Sequence, residues 1–150
     1  VLIERVSDNP NDHHAGQLSF PGGKFEEKDY SYQDCALREA EEEIGINASD
    51  VGVIGELSSI YIPVSNFLIY PFVGFMGEDP EFTIQRNEVQ NIIEVPLKHY
   101  KKGKNKKKTD IDIRGGILKD VPYYDINNQV LWGATAMIMS EFEQVIRKII

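Results

Sequence analysis

Three glutamates between residues 38 and 43 are the residues of this sequence best suited to chemistry. In Arg38-Glu39-Ala40-Glu41-Glu42-Glu43, a helix would project Glu39, Glu42 and Glu43 from one side. Like charges at this spacing repel, and acids near a helix C-terminus are unfavourable because the helix dipole is negative there. Clustered carboxylate oxygens suit hard divalent cations such as Mg²⁺. The segment therefore predicts a metal site, with a solvated acidic helix face as the alternative.

The residues on either side favour the metal site. Upstream, His13-His14-Ala15-Gly16-Gln17-Leu18-Ser19-Phe20-Pro21-Gly22-Gly23 ends in two glycines, which allow the backbone to approach a ligand closely. Ser31, three residues before Asp34, predicts a helix N-terminus, and Gly45 predicts its end. The sequence therefore predicts a strand, a glycine loop and a capped helix that together form a loop–helix–loop metal site.

The elements that must position this site are mostly strands. Strands are predicted at Val1–Val6, Gln17–Phe20, Val51–Ser58, Ile60–Val64, Phe67–Phe75, Asn91–Pro96, Thr109–Ile113 and Val121–Asp125. Helices are predicted from Ser31 to Ile44 and from Leu131 to Ile150, with a hairpin turn at Asn127-Asn128. Because strands outnumber helices and do not alternate with them regularly, the pattern favours an α+β sandwich. Tyr61 and Phe67 are predicted to be core aromatics, with stacking on a substrate as the alternative.

The composition limits the class of protein. The 150 residues, 41% of them hydrophobic, suffice for one domain with a core, and we expect a single domain over residues 1–150. The longest apolar run, Phe67 to Met76, is too short to cross a membrane. A single cysteine, Cys35, allows neither an internal disulfide nor a Cys/His zinc cluster, and we expect a cytoplasmic protein. Because the chain begins at Val1 without a methionine or signal pattern, we expect an incomplete N-terminus.

Charge is distributed unevenly along the chain. The net charge is −8; residues 26–50 hold nine acids and two bases, whereas residues 98–108 hold seven lysines and no acid. The lysine run, Lys98 to Lys108, predicts a solvated loop, with a surface that attracts a polyanionic substrate as the alternative. The acidic balance and the lack of a basic face argue against nucleic-acid binding.

These segments together resemble the Nudix hydrolase family. Arg38 to Ile46 matches the second half of the family's box, G-x5-E-x7-R-E-U-x-E-E-x-G-U, in which U is aliphatic. The first half departs from it: the glutamate position falls on Asp29, and eight residues, not seven, separate Asp29 from Arg38. The longer spacing and the segment from His14 to Gly23 are similar to the coenzyme A diphosphatase branch. The resemblance covers nearly the whole chain.

The resemblance implies a Nudix α/β/α sandwich with a mixed central sheet, and an enzyme that cleaves a diphosphate linkage with Mg²⁺ or Mn²⁺. It implies that Glu39, Glu42 and Glu43 are metal ligands and that Arg38 orients Glu42. The general base stays open between Glu42, Glu39 and Glu88, and a solvated residue before a strand is the alternative for Glu88.

The resemblance also implies a substrate. His14, Gln17, Gly22 and Gly23 belong to the branch signature and are expected to contact it, although His14 can equally be a loop histidine. The expected reaction splits coenzyme A or an acyl-CoA into 3′,5′-ADP and the 4′-phosphopantetheine half. The alternatives are another nucleoside diphosphate derivative, such as ADP-ribose, NADH or a dinucleoside polyphosphate, and a non-catalytic nucleotide sensor. The expected partner is thus a small molecule, with neither nucleic acid nor membrane, and a homodimer stays open.

Overall fold

The computed structural model describes residues 1–6, 16–99, 105–113 and 115–149. The strands are β1 (Leu2–Arg5), β2 (Leu18–Ser19), β3 (Gly52–Glu56), β4 (Ile60–Ile62), β5 (Phe67–Ile69), β6 (Phe72–Phe75), β7 (Val89–Ile93), β8 (Lys106–Ile113), β9 (Gly116–Ile126) and β10 (Gln129–Leu131). The helices are α1 (Tyr32–Ile44) and α2 (Gly133–Ile149), with short 3₁₀ turns at Ala48–Asp50 and Leu97–His99. The predicted α+β class is confirmed.

The strands form four small antiparallel sheets within the described part of the chain. Their orders are β2-β1-β7, β10-β9-β8, β3-β6 and β4-β5. The hairpins β4–β5, β8–β9 and β9–β10 have short connections, and such connections allow only antiparallel pairing. All six pairings among the described strands are antiparallel, so the mixed central sheet expected from the resemblance is not found among them.

The β2-β1-β7 sheet separates two hydrophobic cores. Successive residues of a strand point to opposite faces, and Leu2 and Ile3 of β1 follow this rule. Leu2 belongs to the core that contains Met139 of α2, whereas Ile3 packs with Ile44 of α1. A helix therefore covers each face of this sheet, and the predicted α/β/α layering is confirmed.

The predicted strand Phe67–Phe75 is wrong as one element. It is divided into β5 and β6 around Tyr70 and Pro71, since proline lacks the N–H that a strand interior needs. β5 consequently pairs with β4, and β6 with β3. The predicted burial of Tyr61 and Phe67 is also wrong: they are 55% and 50% exposed, because the β4–β5 sheet has only two strands and leaves their rings uncovered.

Several boundaries in the C-terminal half differ from the predictions. β7 is Val89–Ile93 rather than Asn91–Pro96, and β9 begins at Gly116 rather than Val121. Residues 106–108, predicted as part of a lysine loop, belong to β8, where they pair with residues 122–124 of β9. Residues 100–104 of that loop lie outside the described part. Leu131, predicted to begin the last helix, ends β10, because a turn at Asn127 and Asn128 (φ of 53° and 67°) closes the β9–β10 hairpin. α2 begins only at Gly133.

Candidate active site

Helix α1 begins and ends where the sequence predicts. Ser31 Oγ accepts a hydrogen bond from the Asp34 N–H at 3.1 Å and donates one to the Asp34 carboxylate at 2.9 Å. Gly45 ends the helix with a φ of 72°. A Cβ on Gly45 would lie 2.7 Å from the carbonyl oxygen of Thr83, so the following segment can pack against this helix end only if residue 45 is glycine.

Arg38 is held mainly by Asp29. Its Nε and Nη2 donate to Asp29 Oδ1 and Oδ2 at 2.7 and 3.0 Å, which forms a bidentate pair. Nη1 donates to Glu39 at 2.8 Å and to Glu42 at 3.3 Å. The hydrogen bond holds the pKa of Asp29 well below its ordinary value and raises that of Arg38. The predicted contact between Arg38 and Glu42 is present, but it is the longest of these side-chain hydrogen bonds to carboxylates.

The ion pair between Arg38 and Asp29 also holds the loop that follows Gly22 and Gly23 against α1. Asp29 Oδ2 accepts a hydrogen bond from the Glu26 N–H at 2.8 Å, and the Asp29 N–H donates to the Glu26 carbonyl at 3.0 Å. Arg38 Nη2 donates to the Lys24 carbonyl at 3.2 Å. Because Arg38 holds both Asp29 and Lys24, residues 24–29 are fixed beside the helix that carries the glutamates.

Gly22 and Gly23 place this loop against two of the glutamates. The Gly22 N–H donates to Glu43 Oε2 at 2.8 Å. A Cβ on Gly23 would lie 2.4 Å from the Glu39 carboxylate, so a larger residue there would displace that carboxylate. The structure thus brings together four residues that the sequence analysis selected: Gly22, Gly23, Glu39 and Glu43.

Glu43 is a buried carboxyl in acidic surroundings. It is 2% exposed, and burial raises its pKa to about 7. The charges of Glu39 and Glu88 raise its pKa further, whereas the Gly22 N–H and the Arg5 guanidinium lower it. Arg5 Nη1 lies 3.8 Å from Glu43 Oε1, too far for a hydrogen bond. The ionised form of Glu43 is therefore poorly compensated by its protein neighbours.

Glu88 reaches the site through the backbone of its turn. Its carbonyl accepts a hydrogen bond from the Val6 N–H at 2.9 Å, and its N–H donates to the Gln85 carbonyl at 3.0 Å. The Gln85 N–H in turn donates to the Glu43 carbonyl at 3.0 Å. The turn before β7 is therefore attached both to the end of β1 and to the last turn of α1, close enough for the charge of Glu88 to act on Glu43.

The remaining predicted residues are less central. Glu42 is exposed, and its carboxylate lies 3.6 Å from Lys28 Nζ. Gln17 is half-buried, and its backbone carbonyl accepts a hydrogen bond from the Arg5 N–H at 3.2 Å. His14 lies outside the described residues, so its substrate contact stays a prediction.

Two residues of the site, Asp29 and Arg5, had no role predicted from the sequence. Asp29 occupies the glutamate position of the box, nine residues before Arg38, and this spacing could have indicated its pairing with Arg38. Nothing in the local pattern connects Arg5 with Glu43, because the contact joins β1 to the end of α1 and depends on tertiary packing.

The donor set fits a hard divalent cation in its chemistry. Glu39 and Glu43 offer carboxylate oxygens beside a glycine loop, and a cation would offset the cost of ionising the buried Glu43. Within the described residues, however, no three His, Cys, Asp or Glu side chains lie close enough together to hold a metal. Arg38 Nη1 donates to Glu39 Oε1, which leaves Glu39 Oε2 without a hydrogen bond from Arg38. The metal roles of Glu39, Glu42 and Glu43 stay predictions.

Comparison with known proteins assigns the family. Residues 1–113 match the family model of the NUDIX domain. The chain belongs to the Nudix family. It is 38% identical over 145 residues to an uncharacterized Nudix hydrolase NudL of Yersinia enterocolitica, which covers 96% of this chain and 72% of the relative. The proteins of the same name from Yersinia pestis and Yersinia pseudotuberculosis are 37% identical over 144 residues, which cover 96% of this chain and 71% of each relative.

The family and the relatives' names identify this Nudix protein as a hydrolase of diphosphate linkages, which confirms the predicted enzyme class. The relatives' names state no substrate. In the described part of this Nudix chain, no helix is long and apolar enough to cross a membrane. The apolar run from Phe67 to Met76 instead contains β5 and β6.

Proposed function

We propose that this Nudix hydrolase cleaves the diphosphate of coenzyme A or an acyl-CoA, which yields 3′,5′-ADP and the 4′-phosphopantetheine half. The observation that carries the diphosphatase activity is the contact of Gly22 and Gly23 with Glu43 and Glu39. The segment from His14 to Gly23, which is similar to the coenzyme A diphosphatase branch, supports the choice of substrate.

The charges of the reaction explain the residues. Attack of water on a diphosphate adds negative charge to oxygens that already repel the nucleophile. A divalent cation, Mg²⁺ or Mn²⁺, would neutralise that charge, orient the substrate and make the attacking water more acidic. Glu39 and Glu43 would hold it, with Glu42 as a further ligand. Arg38, fixed by Asp29, keeps Glu39 beside Gly23.

Glu88 is the general base that we favour. Glu39 and Glu42 both contact Arg38, and Glu42 is also close to Lys28. Oxygens of these two carboxylates are therefore already engaged by cations of the protein. Glu88 lies on a separate turn, close enough to raise the pKa of Glu43, and can accept a proton from water while the helix glutamates bind metal.

The protein is further proposed to act as one cytoplasmic domain. Strand β1 contributes Leu2 and Ile3 to the two cores, and these cores include residues of both α1 and α2. Cys35 is a buried free thiol, as expected for a protein that needs no oxidising compartment.

A substrate panel tests the proposal. Coenzyme A, acetyl-CoA, ADP-ribose, NADH and a dinucleoside polyphosphate are incubated with Mg²⁺ or Mn²⁺, and the products are separated by anion-exchange chromatography. We expect 3′,5′-ADP from the two coenzyme A substrates at the highest kcat/KM. Preferential cleavage of another panel member would refute the coenzyme A assignment and retain the diphosphatase chemistry. Binding without cleavage of any member would favour a nucleotide sensor.

A further inference from the structure

Arg5 differs from Arg38 in how its hydrogen-bond donors are used. Every nitrogen of the Arg38 guanidinium donates to an oxygen, either of the Asp29, Glu39 and Glu42 carboxylates or of the Lys24 carbonyl. Among the described residues, the Arg5 guanidinium makes no hydrogen bond, and its contact is the 3.8 Å ion pair with Glu43. The Arg5 side chain is also 41% exposed. A cation whose donors are not used by the described residues therefore borders the carboxylates.

The backbone fixes Arg5 between two other parts of the site. Its N–H donates to the Gln17 carbonyl at 3.2 Å, and its carbonyl accepts from the Gly16 N–H at 3.0 Å. On the other side, the pairing of β1 with β7 is irregular between Glu4 and Arg5. Such irregularities change the direction of a side chain and are over-represented beside active sites. The next residue, Val6, is hydrogen-bonded to Glu88. Arg5 thus stands between the segment similar to the coenzyme A diphosphatase signature and the turn that carries Glu88.

The surrounding charges call for a cation that meets the substrate. Glu39, Glu43 and Glu88 would repel the approaching diphosphate, and Arg38 is fully committed to oxygens of the protein. A guanidinium presents two parallel donors that match phosphate oxygens. At 3.8 Å, Arg5 is close enough to Glu43 to belong to the site, yet it forms no hydrogen bond there.

We propose that Arg5 binds a non-bridging oxygen of the substrate diphosphate, as the phosphate-contacting cation of the site. This inference rests on the proposed function only in taking a diphosphate as the ligand. It makes Arg5 a catalytic residue that positions the diphosphate and offsets the charge that develops on its oxygens. It does not depend on whether the remainder of the substrate is coenzyme A.

Three variants separate this role from a structural one. Arg5→Gln removes the charge, and Arg5→Lys keeps the charge but loses the two parallel donors of the guanidinium. Lys119→Gln is the control: it removes an exposed cation of β9, which pairs with Asp110 of β8 at 2.6 Å. Circular dichroism and thermal unfolding establish that each variant is folded. At saturating Mg²⁺, we expect Arg5→Gln to lower kcat/KM roughly ten- to a hundredfold, the range for a hydrogen bond to a charged group. Arg5→Lys should recover part of this loss, guanidinium ion at millimolar concentration should partly rescue Arg5→Gln, and Lys119→Gln should match the wild type.

A binding measurement makes the test independent of turnover. Methylenediphosphonate, whose P–C–P bridge resists hydrolysis, is titrated calorimetrically into each Mg²⁺-saturated variant, and Mg²⁺ alone is titrated in parallel. We expect Arg5→Gln to weaken diphosphonate binding at least tenfold while Mg²⁺ binding changes little. Unchanged diphosphonate binding, or a loss confined to Mg²⁺ binding, would overturn the proposal. If the wild type binds the probe through Arg5 but cleaves no panel substrate, the proposed function fails and this inference stands.

Discussion

Replacing Glu43 by Gln should stabilise the metal-free protein above pH 7 and abolish diphosphate cleavage. Burial raises the pKa of Glu43 from 4.5 to about 7 in the folded protein. A carboxyl with a higher pKa in the folded state binds its proton more tightly there than in the unfolded chain. Its contribution to stability is therefore complete below about pH 4.5 and is lost as pH rises through about 7.

The expected size of the effect follows from the same numbers. A pKa that rises from 4.5 to about 7 on folding corresponds to about 3 kcal/mol of unfolding free energy, since each pKa unit is worth about 1.4 kcal/mol. Glutamine does not ionise and keeps an oxygen that can accept the Gly22 N–H. The wild type should therefore lose up to about 3 kcal/mol relative to Glu43→Gln between pH 4.5 and pH 8.

Urea unfolding followed by circular dichroism, in EDTA at several pH values, measures this difference. Glu143→Gln is the matched control, because Glu143 is equally buried but has a shift of opposite sign. Burial acts to raise the pKa of Glu143, yet hydrogen bonds with Lys106 and Tyr124 lower it overall. Glu143→Gln should therefore be destabilising at neutral pH. A difference between the wild type and Glu43→Gln that is the same at pH 5 and pH 8 would refute the claim of a buried, poorly compensated Glu43.

Three further predictions concern the geometry around α1. Gly23→Ala should reduce cleavage at least tenfold, because its Cβ would lie 2.4 Å from the Glu39 carboxylate; initial rates at saturating metal measure the loss. Asp29→Asn should lower kcat more than it raises KM, because Arg38 loses its bidentate partner and holds Glu39 less firmly; full kinetics separate the two constants. Glu88→Gln should lower kcat roughly a hundredfold or more and leave KM and metal affinity nearly unchanged, as expected for a general base.

Each of these predictions has a defined control. Gly55→Ala adds a Cβ that meets nothing within 4 Å, and should retain wild-type activity. Equal losses in Gly23→Ala and Gly55→Ala would mean that added bulk near Glu39 is not the cause. Thermal unfolding tests whether Asp29→Asn is simply unfolded, and a pure KM effect would contradict its role through Arg38. If Glu88→Gln keeps the wild-type kcat, Glu88 is not the general base, and a glutamate of α1 becomes the candidate.

Local signals accounted for most of what the sequence predicted correctly. The ends of α1 depend on Ser31 and Gly45, whose side-chain and backbone preferences act within four residues. The contact of Gly22 and Gly23 with the glutamates follows from a motif that places loop and helix next to each other. The ends of α1 can be predicted from a single sequence because each depends on neighbours along the chain. Gly22 and Glu43 are 21 residues apart, so their contact was expected only from the motif and not from local preferences.

The features that the sequence did not reveal depend on distant parts of the chain. The contact of Arg5 with Glu43 joins β1 to α1. Glu88 was a candidate base from the resemblance, but the hydrogen bonds to Val6 and Gln85 that attach its turn to β1 and α1 were not predicted. The lysine pattern of residues 106–108 predicted a solvated loop, but pairing with β9 made it a strand. Each of these features depends on contacts between segments that are distant in the sequence, and local residue preferences do not predict such contacts.

Glu39 and Glu43, placed against Gly22 and Gly23, are the proposed site of diphosphate cleavage. The most direct measurement compares the wild type and Glu43→Gln in the cleavage of coenzyme A with Mg²⁺, under conditions in which both proteins are folded. We predict release of 3′,5′-ADP by the wild type and a loss of at least a thousandfold in the variant. Undiminished cleavage by Glu43→Gln would place the chemistry elsewhere and contradict the account.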